Sequence, residues 1–151
     1  MPTDLTYMSL ALSEAERARA LGEVPIGAIV VKDGKIVARS HNRKETTADP
    51  TAHAELLVIK KTAHKLKNWR LTGCTLYVTL EPCPMCLSAI IQARVDRLVF
   101  GAPDPVMGAC GGKLDLTSVH SANPTIEITS GVLSEECRDL IDRFWKQRRK
   151  K

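Results

Sequence analysis

Nothing in this chain of 151 residues approaches the run of roughly 18 apolar residues that a membrane-spanning helix needs, so no membrane role is expected. Its start, Met1-Pro2-Thr3-Asp4, lacks the basic stretch and following apolar stretch of a secretory signal, which makes the cytoplasm the expected location. Cysteine is sparse. Five residues are an odd number with no evenly spaced framework, which argues against a disulfide-stapled secreted domain. There is no second Cys-x-x-Cys pair, so a zinc ribbon lacks half its ligands. No internal repeat or low-complexity stretch appears either. What remains is a hydrophobic fraction of 44%, ordinary for a globular protein, in a length that suits a single domain over 1–151 with a sizeable core.

Charge is unevenly placed. The net charge is +5, and Lys146-Gln147-Arg148-Arg149-Lys150-Lys151 alone carries five positive charges, leaving 1–145 neutral. Two readings stand: a solvated helix end, favoured by the helix dipole, or a phosphate-binding patch.

Residues 4–21 place Leu5, Met8, Leu12, Ala15, Ala18 and Leu21 close to a 3.6-residue repeat, predicting an amphipathic helix that ends at Gly22. Val24 to Val31 is a nearly continuous apolar run suited to a buried strand. The Asp33-Gly34 turn should fold Ile36–Ser40 back antiparallel. Asn42 to Asp49 reads as polar loop, and Pro50 as the opening of a helix over about 51–64, with His53 in its first turn. Thr75–Leu80 reads as a central strand, about 84–93 as a helix, Arg97–Phe100 as a strand and Gly101–Lys113 as a glycine-rich loop long enough to be a lid or wall. Ile126–Thr129 reads as an edge strand, and Ser134 as the N-cap of a last helix. Helices alternating with strands around one sheet give a three-layer α/β domain. Cys74, Cys137 and Trp69 are expected in the core and Cys110 has no assignment. His41, His64 and His120 lack partners at ligand spacing, so a surface or loop role is expected for each.

Two stretches carry chemistry: Asp49-Pro50-Thr51-Ala52-His53-Ala54-Glu55 and Glu81-Pro82-Cys83-Pro84-Met85-Cys86. One histidine and two cysteines three apart supply three zinc ligands and leave a fourth tetrahedral position for water, the mark of a catalytic rather than a structural zinc. Glu55 is then free to act on that water. Histidine and glutamate two apart lie roughly 200° around a helix, so they share a site only off its N-terminal end. A lone Cys-x-x-Cys could be a redox pair, but such a pair needs no histidine–glutamate helix start thirty residues upstream. His-x-Glu with a later Pro-Cys-x-x-Cys is the known signature of zinc-dependent base deaminases. Zinc lowers the pKa of bound water towards 7, and a carboxylate beside it can shuttle the proton to a ring nitrogen and then to a departing amine.

From Glu23-Val24-Pro25-Ile26-Gly27-Ala28 to the basic end, the chain resembles the bacterial tRNA-specific adenosine deaminases, which convert the wobble adenosine of an anticodon to inosine. The likeness is carried by 49–55, by Leu76 to Cys86, and by Gly101-Ala102 leading to Gly108-Ala109-Cys110-Gly111. It implies a three-layer α/β/α cytidine-deaminase-like fold with a mixed five-stranded sheet, and a homodimer. It implies one Zn2+ per subunit on His53, Cys83 and Cys86, with Glu55 as proton shuttle. It implies Asn42 on the edge of the flipped base, and Asp104, Trp145 and Arg149 as counterparts of residues holding the anticodon stem-loop. Pro103 and Val106 depart from the family pattern, where a polar or basic residue is common. A valine cannot pair with phosphate, so either the RNA contact is weaker or a neighbour such as Lys113 compensates. An anticodon loop is already partly unstacked, and a basic tail behind an aromatic face suits single-stranded RNA, which favours the phosphate-binding reading of the tail. The rivals are a free-base enzyme, above all guanine deaminase of purine salvage, and a structural zinc module that binds RNA.

Overall fold

The computed structural model describes residues 2–118 and 126–149. His120, Lys150 and Lys151 lie outside them. The first helix, α1 (Asp4–Ala20), is capped by Thr3, whose side chain accepts from the Thr6 amide. Its buried stripe is Tyr7, Met8, Ala11, Ala15 and Ala18, while Leu5 and Leu21 point to solvent, so the apolar face lies one step round from the expected one. Strand β1 (Gly27–Lys32) starts three residues later than the apolar run suggests. Before it the Ile26 amide donates to the Val24 carbonyl in a tight turn rather than to a neighbouring strand. Asp33 and Gly34 both have positive φ, as a two-residue hairpin turn requires, and β2 (Lys35–His41) returns antiparallel.

The expected polar loop after β2 holds a short helix, α2 (Lys44–Thr47). Next come α3 (Ala54–Leu66), β3 (Cys74–Leu80), α4 (Pro84–Gln92), β4 (Arg97–Ala102), β5 (Glu127–Thr129) and α5 (Ser134–Arg149). Gly101 and Ala102, expected in the loop, complete β4. Ser134 opens α5 rather than standing outside it. The sheet order is β2-β1-β3-β4-β5, with β1 antiparallel to both neighbours and β3, β4 and β5 parallel. This is the mixed five-stranded sheet expected.

Helices cover both faces, which is why the inner strands are apolar on both sides. Ala28, Val30, Leu76, Val78, Leu98 and Phe100 pack under α3 and α4 with Val58, Leu87 and Ile90. Ile29, Val31, Tyr77 and Val99 face the other way, against α1 and Cys137 of α5. Cys137 lies so near β4 that a Cβ on Gly101 would stand 2.4 Å from its sulfur, so only glycine allows this approach. Cys74 is buried as expected. Trp69 is not: it is 54% exposed, with the Arg70 and Arg94 guanidinium groups 4.5 and 5.5 Å from its ring, so cation–π contact replaces core packing. His64 is exposed, but His41 is half-buried at the end of β2, facing the Glu14 carboxylate at 3.4 Å.

Candidate active site

Two helix N-termini meet at the C-terminal side of the parallel strands. His53 is the N-cap of α3, with extended backbone, and not a first-turn residue; Pro50 stands outside the helix. The side chain that caps the helix start comes from twelve residues upstream: Asn42 Oδ1 accepts from the Ala54 amide at 2.8 Å. Capping from outside leaves the imidazole free to turn away from its own helix. Cys83 is likewise the N-cap of α4, with Pro84 at N1, and Cys86 lies one turn on at N3. The two sulfurs come to 3.8 Å (Cys83) and 3.3 Å (Cys86) of His53 Nδ1, and all three donor atoms lie within 4.8 Å of one another. Among the described residues this is the one histidine–cysteine–acid cluster of metal-binding dimensions.

The electrostatics suit a shared cation. The Cys83 thiol is pushed down to about 4, chiefly by the Cys86 hydrogen bond and then by His53. The same contact and burial push Cys86 up. His53 is raised by its hydrogen bond to Cys83. Glu55, in the first turn of α3, is fully enclosed, and burial pushes its carboxyl to about 7. Its Oε1 is buried without a hydrogen-bond partner among the described residues, a costly state unless the atom serves a ligand.

These groups open into a cavity of about 640 Å3. Asn42, His53, Glu55 and Cys83 line it, with Asp104 from the loop after β4 and Trp145 from α5. Cys86 belongs to the ligand cluster beneath. Arg149 is not among the lining residues; it stands exposed at the last position of α5. Asp104 spends Oδ1 on the Val106 and Met107 amides, at 2.9 and 3.2 Å, so it shapes the loop as well as facing the cavity. Val106 and Met107 are 71% and 53% exposed and give the mouth an apolar rim, while Lys113 does not line it. Sequence reasoning missed Lys44, Arg138 and Glu81 as wall residues. Glu81 carries a signal, a carboxylate wedged between an apolar strand and Pro82, but the cysteines of the same motif overshadow it.

A family model described as MafB19-like deaminase matches residues 3–149. The tRNA-specific adenosine deaminase of Bacillus subtilis (strain 168) is 48% identical over 151 residues, which cover 100% of this chain and 94% of the relative. The chain belongs to the tRNA-specific adenosine deaminase family. A solved structure from a study of A-to-I editing by tRNA:A34 deaminases at the wobble position of transfer RNA is 43% identical to this deaminase. Its TM-score is 0.79, over 89% of this chain and 97% of that one. A guanine deaminase from Bacillus subtilis is 40% identical, but with a TM-score of 0.64 over 68% of this chain and 66% of its own. Membership makes this deaminase a hydrolytic enzyme, with fold and sequence agreeing over nearly the whole chain. None of its described helices is long and apolar enough to cross a membrane.

Proposed function

We propose that this deaminase hydrolyses the wobble adenosine of a tRNA anticodon loop to inosine and ammonia, acting as one deaminase domain over 1–151. The observation that carries the chemistry is the enclosed, unpartnered Glu55 oxygen beside a His–Cys–Cys cluster in an open cavity. The substrate class rests on the 48% identity, over full length, with a tRNA-specific adenosine deaminase.

One Zn2+ per subunit fits His53 Nδ1, Cys83 and Cys86. Bonds of about 2.0–2.3 Å at tetrahedral angles put ligand atoms roughly 3.5 Å apart, close to the 3.3 and 3.8 Å between His53 and the sulfurs. When bound, zinc supplies the Lewis acidity that makes water nucleophilic near neutral pH. Glu55 would accept one proton from the attacking water as the water oxygen adds to C6 of adenine. The same carboxyl passes that proton to N1, then takes the proton of the new C6 hydroxyl and gives it to the amine as the C6–N bond breaks, leaving ammonia and the carbonyl of inosine. Burial favours the neutral form of the Glu55 carboxyl, which helps it hold the proton it has taken and hand it on. With Oδ1 committed to Ala54, Asn42 offers its amide N–H groups to an acceptor on the base edge. Trp145 gives the mouth an aromatic face; Asp104, on the wall, and Arg149, beyond it, are our candidates for contacts to the flanking anticodon nucleotides. The reading extends to a homodimer, as the family resemblance implies, and to the cytoplasm.

The likeness to a guanine deaminase supports a second reading, turnover of free guanine in purine salvage, though over only two thirds of the chain. Ammonia release from zinc-loaded protein separates the two, comparing an anticodon stem-loop bearing wobble adenosine with free guanine, cytosine and adenine. Release from the RNA alone, with inosine in the product, is expected; release from guanine alone would overturn the tRNA reading. Glu55→Ala should abolish turnover while metal analysis still finds one zinc per chain, and residual activity would sink the shuttle role.

A further inference from the structure

The mechanism leaves Glu81 unused, yet it is buried at 3% exposure directly after β3 and has no Lys, Arg or His within ion-pair distance among the described residues. Its partners are backbone amides of the loop after β4. Oε1 accepts from Asp104 at 2.8 Å; Oε2 accepts from Cys110 and Gly112, each at 2.8 Å. The loop's glycines are cut to this carboxylate. A Cβ on Gly108 would stand 2.3 Å from Glu81 Cδ, and one on Gly112 2.4 Å from Oε1. The loop closes on itself around the same point, with Gly108 N donating to Asp104 O and Ala109 N to Pro82 O. A short acidic side chain thus gathers a loop of ten residues, 103–112, whose first five line the cavity. Charge-assisted bonds of this kind are stronger than neutral ones, and the three amides, if released inside, would go unsatisfied.

We propose that Glu81 is a positioning residue for substrate. Its carboxylate locks the wall formed by Pro103–Met107 at a fixed distance from Glu55 and His53, so the cavity is shaped before the nucleotide arrives. Preorganisation of this kind lowers the cost of binding rather than the chemical barrier, so its loss belongs in KM. The glycine-rich run is then a cradle for a carboxylate, not a site for phosphate. The inference rests on the RNA-deaminase reading above.

Glu81→Gln keeps the size but turns one acceptor into an N–H group that faces an N–H group. The expected result is a KM for the anticodon stem-loop raised about tenfold or more, with kcat within about threefold. Zinc per chain should hold, and amide exchange at Asp104, Cys110 and Gly112 should accelerate. Unchanged KM and unchanged exchange would overturn the proposal. A fall in kcat together with zinc loss would overturn it too, making Glu81 a support for Cys83 instead. If Glu81→Gln does not fold, Gly108→Ala decides by the same readouts, since its methyl group presses on the carboxylate from the loop side. Wild-type protein is run alongside. If it turns over guanine and not RNA, the functional reading fails by itself, and KM for guanine becomes the quantity that judges Glu81.

Discussion

Asn42 does two jobs with one amide, and a single substitution separates them. Its Oδ1 closes the start of α3, while its nitrogen end is left for the cavity. Asn42→Asp keeps an oxygen for the Ala54 amide, removes the N–H donors and adds a charge that the positive end of the α3 dipole favours. Thermal stability should therefore stay near wild type, while kcat/KM for the stem-loop falls about tenfold to a hundredfold, the loss of a hydrogen bond to a buried polar partner. Asn42→Ala should lose both, adding about 1 kcal/mol of destabilisation for the missing cap. A melting curve and a kinetic series on the two variants check this; an Asp variant as active as wild type would leave Asn42 a cap and nothing more. The split also explains what the sequence could not show about His53. Pro50 and the following apolar periodicity suggest a helix from 51. The start of α3 is instead fixed by a bond across twelve residues, which no local pattern encodes. The ligand set itself was legible, because residue types and spacing alone constrain a zinc site tightly.

Among the elements, α2 shows the same limit. Four residues, Lys44–Thr47, are too short to form a helix on their own propensity, and they read as loop. Glu23 holds them from outside: its buried carboxylate accepts from the Glu45 amide at 3.1 Å and from the Thr46 amide and hydroxyl at 2.6 Å each. Burial would raise the Glu23 carboxyl, but the Thr46 and Glu45 bonds outweigh it and hold it below its usual value. Because α2 carries Lys44 to the cavity wall, Glu23→Ala should act at a distance. About 1–3 kcal/mol of stability should go with the unsatisfied amides, and faster amide exchange should be confined to 45 and 46 and their neighbours. Uniform loosening of the whole chain would instead make Glu23 a general core residue. The long elements were legible for the opposite reason. Each inner strand is apolar on both faces, and Asp33-Gly34 admits only one kind of turn, so local signals and tertiary packing agree there.

At the scale of the whole molecule, two charge arrangements carry separable consequences. Asp4, at the start of α1, takes both Arg97 guanidinium nitrogens at 2.8 and 2.7 Å and the Tyr77 hydroxyl at 2.7 Å, while Arg97 also reaches Thr129. One carboxylate thus ties α1 to β3, β4 and, through Arg97, β5. The Arg97 hydrogen bond leads in holding Asp4 below its ordinary value of 3.8. A depressed carboxyl contributes stability that is complete above the unfolded value and is lost as pH falls through the folded one. The melting-temperature gap between wild type and Asp4→Asn should therefore be constant above about pH 5 and close below about pH 4, from about 1–2 kcal/mol at neutrality. A gap that persists at pH 2 would mean the substitution acts through packing. The basic end works differently. The buried residues of α5, namely Cys137, Leu140 and Phe144, all precede Lys146, so the tail adds little to the core beyond the Arg148 guanidinium 5.2 Å from the Phe144 ring. Removing 146–151 should cost at most about 1 kcal/mol of stability. It takes away five charges from a chain that is otherwise neutral, so its main effect falls on a polyanionic partner. KM for the stem-loop should rise, and the slope of log KM against log salt should flatten by about 0.7 for each phosphate that the tail no longer neutralises. Because none of the described tail residues, 146–149, lines the cavity, kcat should hold. An unchanged salt slope would return the tail to a solvated helix end and leave the grip on RNA to the apolar rim at Val106, Met107 and Trp145.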